Sequence, residues 1–431
     1  MLFSDISIVD ENFEVQEHKY VATVGRKIAY IGDVPPDLTM SYGTVFNGKG
    51  KLLIPAFYNA HSHLPMAYMR GYGENLSLMD WLLTRIFPFE DKMTEEDIYW
   101  GCMLGIAEML RYGIASTSEM YIKLDPLKRA FKDANVKANF CVSITSQGDT
   151  EFKDTQQYAD TVAAIEEMSR GKEDKQRVEY CLHAEYTNTE KMARSLAQTV
   201  KENGGRIHVH VSETEGEVQG CMERHGMSPV RYLESCGIFD LPTTAAHCVH
   251  ISDEDIAILA AHNVSVATCP KSNAKLASGI CPVNKLLEAG VNVALGTDSV
   301  ASNNNLNMVE EMRFMNLLAK VSNSDPTVLS AAKTLYIATR GGALAQGRED
   351  CGLIKEGFKA DLVVFDLDKP YLKPQSNPID TVVYSASGSD VYMTMVDGSV
   401  LYREGTYPLL EIDLIEQRVE EAKARILKEL A

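Results

Sequence analysis

Leu52-Leu53-Ile54-Pro55-Ala56-Phe57-Tyr58-Asn59-Ala60-His61-Ser62-His63 is an apolar run that ends on two histidines one residue apart. Side chains on a strand alternate with period two, so His61 and His63 share a face and one segment delivers two imidazoles to a single ion. Leu52–Tyr58, running into His61, therefore reads as a strand whose C-terminal end is functional. Seven more strand-like stretches follow: Ile114–Met120, Ala138–Thr145, Val178–Tyr186, Arg206–Val211, Thr243–Val249, Val264–Cys269 and Val291–Thr297, with helix-like segments between them. Strands alternating with helices predict parallel βα units, hence the α/β class and a TIM-type (β/α)8 barrel.

Helix starts are marked by Thr94 before Glu95-Glu96-Asp97, by Asp125 before Pro126, and by Ser252 three residues before Asp255. The segment from Glu95 to Tyr112 repeats apolar residues (Ile98, Met103, Ile106, Met109) at the spacing an outer-layer helix needs. Both ends of the chain change character. Ile6–Val9, Tyr20–Val24 and Ile28–Ile31 at one end, and Asp361–Phe365, Thr381–Tyr384 and Val391–Val396 at the other, read as short strands, with Asp397-Gly398 as a hairpin turn. Neither tail has enough apolar alternation to stand alone, so the two are expected to form one small composite β-sandwich beside the barrel. The expected division is 1–52 and 348–410 as the two parts of that sandwich, 53–347 as the barrel, and 411–431 as a C-terminal helix.

At 431 residues and 45% apolar content the chain can bury a sizeable core. Its formal net charge of -18 argues against nucleic acid or an anionic membrane as partner, because phosphate binding relies on clustered Lys and Arg. A small-molecule substrate, neutral or cationic, fits better. No signal-like segment and no apolar run of membrane-spanning length is seen, which makes the cytoplasm the expected compartment. The nine cysteines are scattered without Cys-x-x-Cys pairing, and so indicate neither a disulfide framework nor a thiolate zinc site.

In this register His61 and His63 close strand one, His183 strand four, His210 strand five, His247 strand six and Asp298 strand eight. Barrel active sites are built at these C-terminal strand ends. Three histidines and one carboxylate form a mixed nitrogen and oxygen set suited to zinc or ferrous iron with a position left for water, whose pKa such an ion lowers toward neutrality. Glu213, three residues beyond His210, can pass a proton to a leaving group. Asp298 can touch the ion and accept the first proton, and His247 can orient the nucleophile or polarise the reacting carbon. His208 shares a face with His210 one step deeper and reads as buried packing or as support for a ligand. His225, His250 and His262 read as solvated or structural, and Met66, Met69, Met79 and Met103 as core or pocket lining.

These residues carry a resemblance. Asn59-Ala-His-Ser-His-Leu-Pro-Met66, His247-Cys-Val-His250, the stretch from Cys269 to Gly279, and Gly296-Thr-Asp-Ser-Val-Ala-Ser-Asn-Asn304 resemble the amidohydrolase superfamily. Within it the chain is similar, nearly end to end, to the 5-methylthioadenosine/S-adenosylhomocysteine deaminase group, close to the triazine-hydrolase-like enzymes. The resemblance implies one divalent metal, zinc foremost with ferrous iron or manganese as alternatives, on His61, His63, His210 and Asp298. It makes Glu213 the proton shuttle and sets His247 beside the hydroxide. It also implies that His183 contacts the purine or its ribose side, that Trp81 lines the ring pocket, and that Glu90 faces the ribose hydroxyls. His183 stands where dinuclear members carry a carboxylated lysine, which favours one ion over two. The implied activity is hydrolysis of a carbon–nitrogen bond in a cyclic amidine: deamination of an adenosine-type heterocycle by hydroxide attack and ring-nitrogen protonation. The alternative is a same-fold hydrolase of a triazine, guanine-like or pyrimidine ring. The resemblance also suggests a homo-oligomer, a dimer or tetramer.

Two departures bear on substrate. Relatives that take S-adenosylhomocysteine usually carry an arginine after strand three, whereas this chain has Ser146-Gln147-Gly148-Asp149 and no arginine between Arg129 and Arg170. Glu185 stands where the family usually has proline, and is expected to add negative charge at the pocket rim. Both favour a neutral adenosine-like or other aminated heterocycle over S-adenosylhomocysteine.

Overall fold

The computed structural model describes residues 1–37, 41–170 and 174–431. Parallel strands alternate with helices through its middle. Phe57–Ser62, Ile114–Tyr121, Lys137–Val142 and Gln176–Val178 pair in that order as one parallel sheet, and Tyr180–Leu182, Ile207–Val211, Thr243–His247, Ser265–Thr268 and Asn292–Leu295 as a second. Only Glu179 separates Gln176–Val178 from Tyr180–Leu182, so these two are halves of the fourth strand position. The expected strand Val178–Tyr186 is thus shorter, and Glu185–Thr187 is a 3-10 turn. Backbone hydrogen bonds link the two sheets on both sides. The N–H of Glu179 donates to Phe140 O at 3.0 Å, that of His183 to Ile144 O at 3.1 Å, and that of Asp298 to His61 O at 3.0 Å. Ser62 and Asp298 also form a parallel bridge. Asp298, just past the last strand position, is thereby brought directly beside the first.

Leu52–Tyr58 is not one strand. It divides at Ala56: Lys51–Pro55 pairs with Leu2–Val9 and Leu362–Asp366, while Phe57–Ser62 begins the parallel set. Leu52–Tyr58 is apolar and buried throughout, across both pieces, so hydrophobicity could not mark the switch.

The two chain ends, expected as the parts of a small sandwich, pair with each other in a single eight-stranded sheet. Its path runs Ser399–Arg403, Val391–Val396, Leu362–Asp366, Lys51–Pro55, Leu2–Val9, Val15–Val24, Lys27–Gly32, with Val45–Asn47 beside Leu2–Val9. Asp397 and Gly398 both have positive φ (47° and 75°), the two-residue turn that suits a hairpin's twist. Thr381–Tyr384, expected as a strand, is helical instead. Asn377 caps the segment by accepting the N–H of Ile379, and Pro378 occupies its first turn, so start signals override β-branched propensity. The capping boxes at Thr94 and Ser252 are present. The helix expected to start at Asp125 begins at Leu124 with Lys123 at its cap. The terminal helix spans Ile412–Leu430 and ties to the helix Glu95–Arg111 through Arg425 and Asp97. No helix of the described residues is long and apolar enough to cross a membrane.

The terminal sheet is bolted to the parallel strands by buried charge. Lys137, at the start of the third strand, has 1% of its side chain exposed; it pairs with Asp361 and, at 2.7 Å, with Asp397. Asp361 also accepts the hydroxyl of Tyr58 and the N–H of Asp397. Arg26 reaches Asp397 from the N-terminal strands. Removing one member of such a cluster strands the others in low dielectric. Lys137→Met is therefore expected to cost about 3–5 kcal/mol in urea unfolding, with the loss restored in part when Asp361→Asn is added.

Candidate active site

His63, His183, His210, Glu213, His247 and Asp298, at or just past C-terminal strand ends, line one cavity of about 520 Å³ together with Trp81 and Glu90 on short helices after the first strand, while His61 is buried against His63 and His210. His61 is buried on the first strand, and His63 follows it at the entry to a 3-10 turn. One ligating atom each of His61, His63 and Asp298, and one each of His61, His210 and His247, fall within 4.8 Å of one another. Asp298 Oδ1 stands 3.4 Å from His63 Nε2 and 3.8 Å from His61 Nε2. His183, Trp81 and Glu90 line the same cavity, with Met66, Tyr121 and Leu276 among its other walls.

Each imidazole is aimed by a partner on its far nitrogen. His63 Nδ1 donates to Met120 O at 2.6 Å and His210 Nδ1 to His183 O at 2.7 Å. His61 Nδ1 meets His208 Nε2 at 2.9 Å, and His247 Nδ1 meets Asn273 Oδ1 at 2.9 Å. Asp298 is cradled in the same way: Oδ2 accepts the hydroxyls of Ser272 (2.6 Å) and Ser302 (2.9 Å), and Oδ1 accepts the N–H of Ser299 (2.8 Å). His247, Cys248, Asp298 and Ser212 all hold positive φ, a conformation that costs non-glycine residues about 1 kcal/mol or more and gathers at functional loops.

Electrostatics sorts the groups by role. Burial, reinforced by crowding among the rings, holds His61 and His210 well below the usual histidine range. Burial also lowers His63, against the pull of Asp298, and takes His183 to about 4. They are neutral, the form that offers a lone pair to a metal. Burial would raise Asp298, but His63, His247 and the two serine hydroxyls outweigh it and keep the carboxylate ionised. Glu213 is shifted the other way: burial raises it, His247 opposes and Asp298 reinforces. Burial would lower His247, yet Glu213 and Asp298 together raise it. Glu213 Oε2 and His247 Nε2 face each other at 3.9 Å. Glu90 is pushed up to about 7 by burial, against a hydrogen bond from Tyr121.

The donor set fits a single divalent cation. His61 Nε2 is buried without a hydrogen-bond partner and points into the cluster, as an imidazole nitrogen does when its partner is a metal rather than a protein group.

Supporting residues that sequence reasoning passed over hold the loops. Glu119 accepts the Ser62 hydroxyl (2.7 Å) and the N–H of Leu64 (2.8 Å) on either side of His63. Glu217 accepts the N–H of Ser212 (2.8 Å) and of Glu213 (2.7 Å). Glu311 joins the loop of Asn303 (2.6 Å) to the N–H of Lys271 (3.2 Å). A readable signal existed for Glu119 and Glu179, carboxylates inside the stretches Ile114–Met120 and Val178–Tyr186 that the sequence marks as strands. One expectation is overturned: Glu185 does not charge the pocket rim. It is 2% exposed, held by Arg224 (2.7 Å) and His225 (3.0 Å), and stands outside the cavity wall.

The amidohydrolase family matches residues 52–401, and the chain belongs to it. It is 38% identical over 411 residues (95% of this chain, 93% of the relative) to the 5-methylthioadenosine/S-adenosylhomocysteine deaminase of Pelotomaculum thermopropionicum. It is 42% identical over 383 residues (89% of each) to the 5'-deoxyadenosine deaminase of Methanothermobacter thermautotrophicus. Among solved structures, a zinc-bound adenosine deaminase from Xanthomonas campestris superposes with a TM-score of 0.91 at 30% identity, covering 99% of this chain and 98% of that one.

Glu311 yields a test by pH. Burial raises its carboxyl from 4.5 to about 8, so across that window the folded chain keeps a proton that the unfolded chain has released, and its contribution to stability falls as pH rises. Glu311→Gln is expected to flatten the slope of unfolding free energy against pH by up to about 1.4 kcal/mol per pH unit between pH 5 and 8, measured by urea titration.

Proposed function

We propose that this chain is a metal-dependent aminohydrolase, a hydrolase of carbon–nitrogen bonds that removes the amino group of an adenosine-type nucleoside as ammonia. The observation that carries the reading is the facing pair Glu213 and His247 above the His61, His63, His210 and Asp298 cluster, on the floor of a cavity walled by Trp81, Glu90 and His183. The names of the relatives support it. A divalent metal, zinc foremost, would be held by His61, His63, His210 and Asp298 and would supply Lewis acidity and a water acidic enough to lose its proton near neutral pH.

The chain's own groups then complete the reaction. Asp298, ionised, accepts a proton as water attacks. Glu213, whose raised pKa favours its protonated form, donates to the ring nitrogen beside the amino-bearing carbon and takes up the water's second proton, while Asp298 passes the first to the departing amine, so both carboxyls return to their starting states. His247, steadied through Asn273, offers Nε2 to the charge that develops at the attacked carbon. Trp81 packs the ring, His183 contacts the purine or its ribose side, and Glu90 faces the ribose hydroxyls. Among the described residues no Lys or Arg lines the cavity, whereas Glu90, Asp91, Glu213 and Asp298 do. A carboxylate or phosphate on the substrate would find no cationic partner, so the reading favours adenosine, 5-methylthioadenosine and 5'-deoxyadenosine over S-adenosylhomocysteine.

The same reading takes the two parallel sheets as one closed eight-position barrel, supported by the hydrogen bonds from Asp298 to His61 and from Glu179 to Phe140. It takes the terminal sheet as a small sandwich curled over the cluster of Phe3, Ile6, Ile8, Phe46, Leu362 and Met393.

Ammonia release across a panel of nucleosides and heterocycles tests the proposal. The expected result is kcat/KM at least about tenfold higher for the neutral nucleosides than for S-adenosylhomocysteine, the scale of one unmatched charge. Turnover confined to triazine, guanine-like or pyrimidine rings would sink the adenosine reading. Glu213→Gln is expected to lower kcat by about 100- to 10,000-fold with metal content unchanged.

A further inference from the structure

Two of the three histidines assigned to the metal are oriented by backbone carbonyls: His63 by Met120 and His210 by His183. His61 is oriented by a side chain. Its Nδ1 lies 2.9 Å from His208 Nε2, and His208 turns its other nitrogen, Nδ1, toward the carboxylate of Glu179, 3.8 Å from Oε2. All three residues are buried, His61 at 0%, His208 at 1% and Glu179 at 3% exposure. Glu179 is held on its other side by Asn139 Nδ2 (2.6 Å) and by Arg206 Nε (3.3 Å), which keep a charged acceptor in place one strand position from the ligand cluster.

A carbonyl can only accept, so His63 and His210 have no choice of tautomer. An imidazole can donate or accept, so the His61 to His208 contact does not by itself decide which ring carries the proton. The carboxylate decides it. A ring nitrogen facing a buried carboxylate carries its hydrogen there, because a lone pair in that position would be repelled in low dielectric. His208 then has its proton on Nδ1 and a lone pair on Nε2. His61 must donate from Nδ1, which leaves its buried, unpartnered Nε2 as a lone pair aimed into the cluster.

We infer that Glu179 and His208 are positioning residues that set the tautomer of His61 and thereby the affinity of the site for its metal. The inference rests on the reading of His61 as a metal ligand. The relay places a negative charge two rings behind the ion, an arrangement that raises the basicity of the ligating nitrogen.

Zinc affinity, measured by competition with a chromogenic chelator, tests it apart from turnover. His208→Leu removes the acceptor of the His61 proton and is expected to weaken zinc binding about 10- to 100-fold. His208→Gln, which puts an amide oxygen near the place of Nε2, is expected to recover most of that loss. A folded His208→Leu chain that binds zinc within twofold of the parent would overturn the inference, as would a His208→Gln chain no better than the leucine variant. If His208→Leu does not fold, neutron diffraction from zinc-loaded parent crystals exchanged into D2O reads the tautomers directly. Deuterium on Nδ1 of both His61 and His208 is expected, and deuterium on Nε2 of His208 overturns the relay. A parent chain that binds no zinc, iron or manganese defeats the metal reading itself, a result distinct from zinc binding that is indifferent to residue 208.

Discussion

Six of the chain's ten histidines lie against one another, and the cost of charging so many rings in one place is the constraint on which the rest depends. The ring centroid of His61 is 4.8 Å from His63, 4.9 Å from His210, 5.1 Å from His208 and 5.3 Å from His247, and His183 is 4.8 Å from His210. Charged imidazolium rings at that separation would repel strongly inside a protein, so the fold is compatible only with mostly neutral rings and a few compensating carboxylates. Asp298 supplies the compensation on the cavity side, and Glu179 supplies it beneath. A crowd of neutral bases around two carboxylates is a good host for one small, hard-to-desolvate cation and a poor one for an anion.

Holding those rings in register requires strand ends and loops to take conformations that they would not choose alone. His247, Cys248, Asp298 and Ser212 all sit in the left-handed region, and buried carboxyl groups grip the neighbouring backbone. Glu119, Glu217 and Glu311 act on three different loops in the same manner, each bridging two groups within a loop or between two loops. Burying an acid for this purpose is costly, as the raised pKa values of Glu217 and Glu311 show. The glycines Gly341 and Gly342 serve the opposite end of the strands. A Cβ on either would overlap the carbonyl oxygen of Val293 or Tyr58, so that helix can seal the strand bottoms only without side chains there.

Much of this was legible in the sequence because the functional residues punctuate the strands. His61, His63, His210, His247 and Asp298 each follow an apolar stretch, and period-two alternation was enough to place them on one side. What was not legible falls into two kinds. Contacts between distant segments, such as Lys137 with Asp361 and Asp397 or Glu185 with Arg224, leave no local pattern; Glu185 looked like a rim charge because its partner lies 39 residues away. The second kind is a conflict between local signals. Leu52–Tyr58 is one unbroken apolar run, yet its two halves belong to different sheets, and Thr381–Tyr384 has strand-like side chains behind a helix-starting Asn-Pro pair.

The pairing of Lys51–Pro55 with Leu362–Asp366 bears on how the chain is made. The N-terminal ribbon leaves the ribosome early, but its partner strand lies about 300 residues downstream, which at about 5–20 residues per second is roughly 15–60 s of synthesis. Throughout that interval the ribbon presents an unsatisfied apolar edge, the kind of surface that recruits other nascent chains. Production of this enzyme is therefore expected to depend on translation speed and on holdase supply in a way that the equilibrium stability of the finished fold does not reveal.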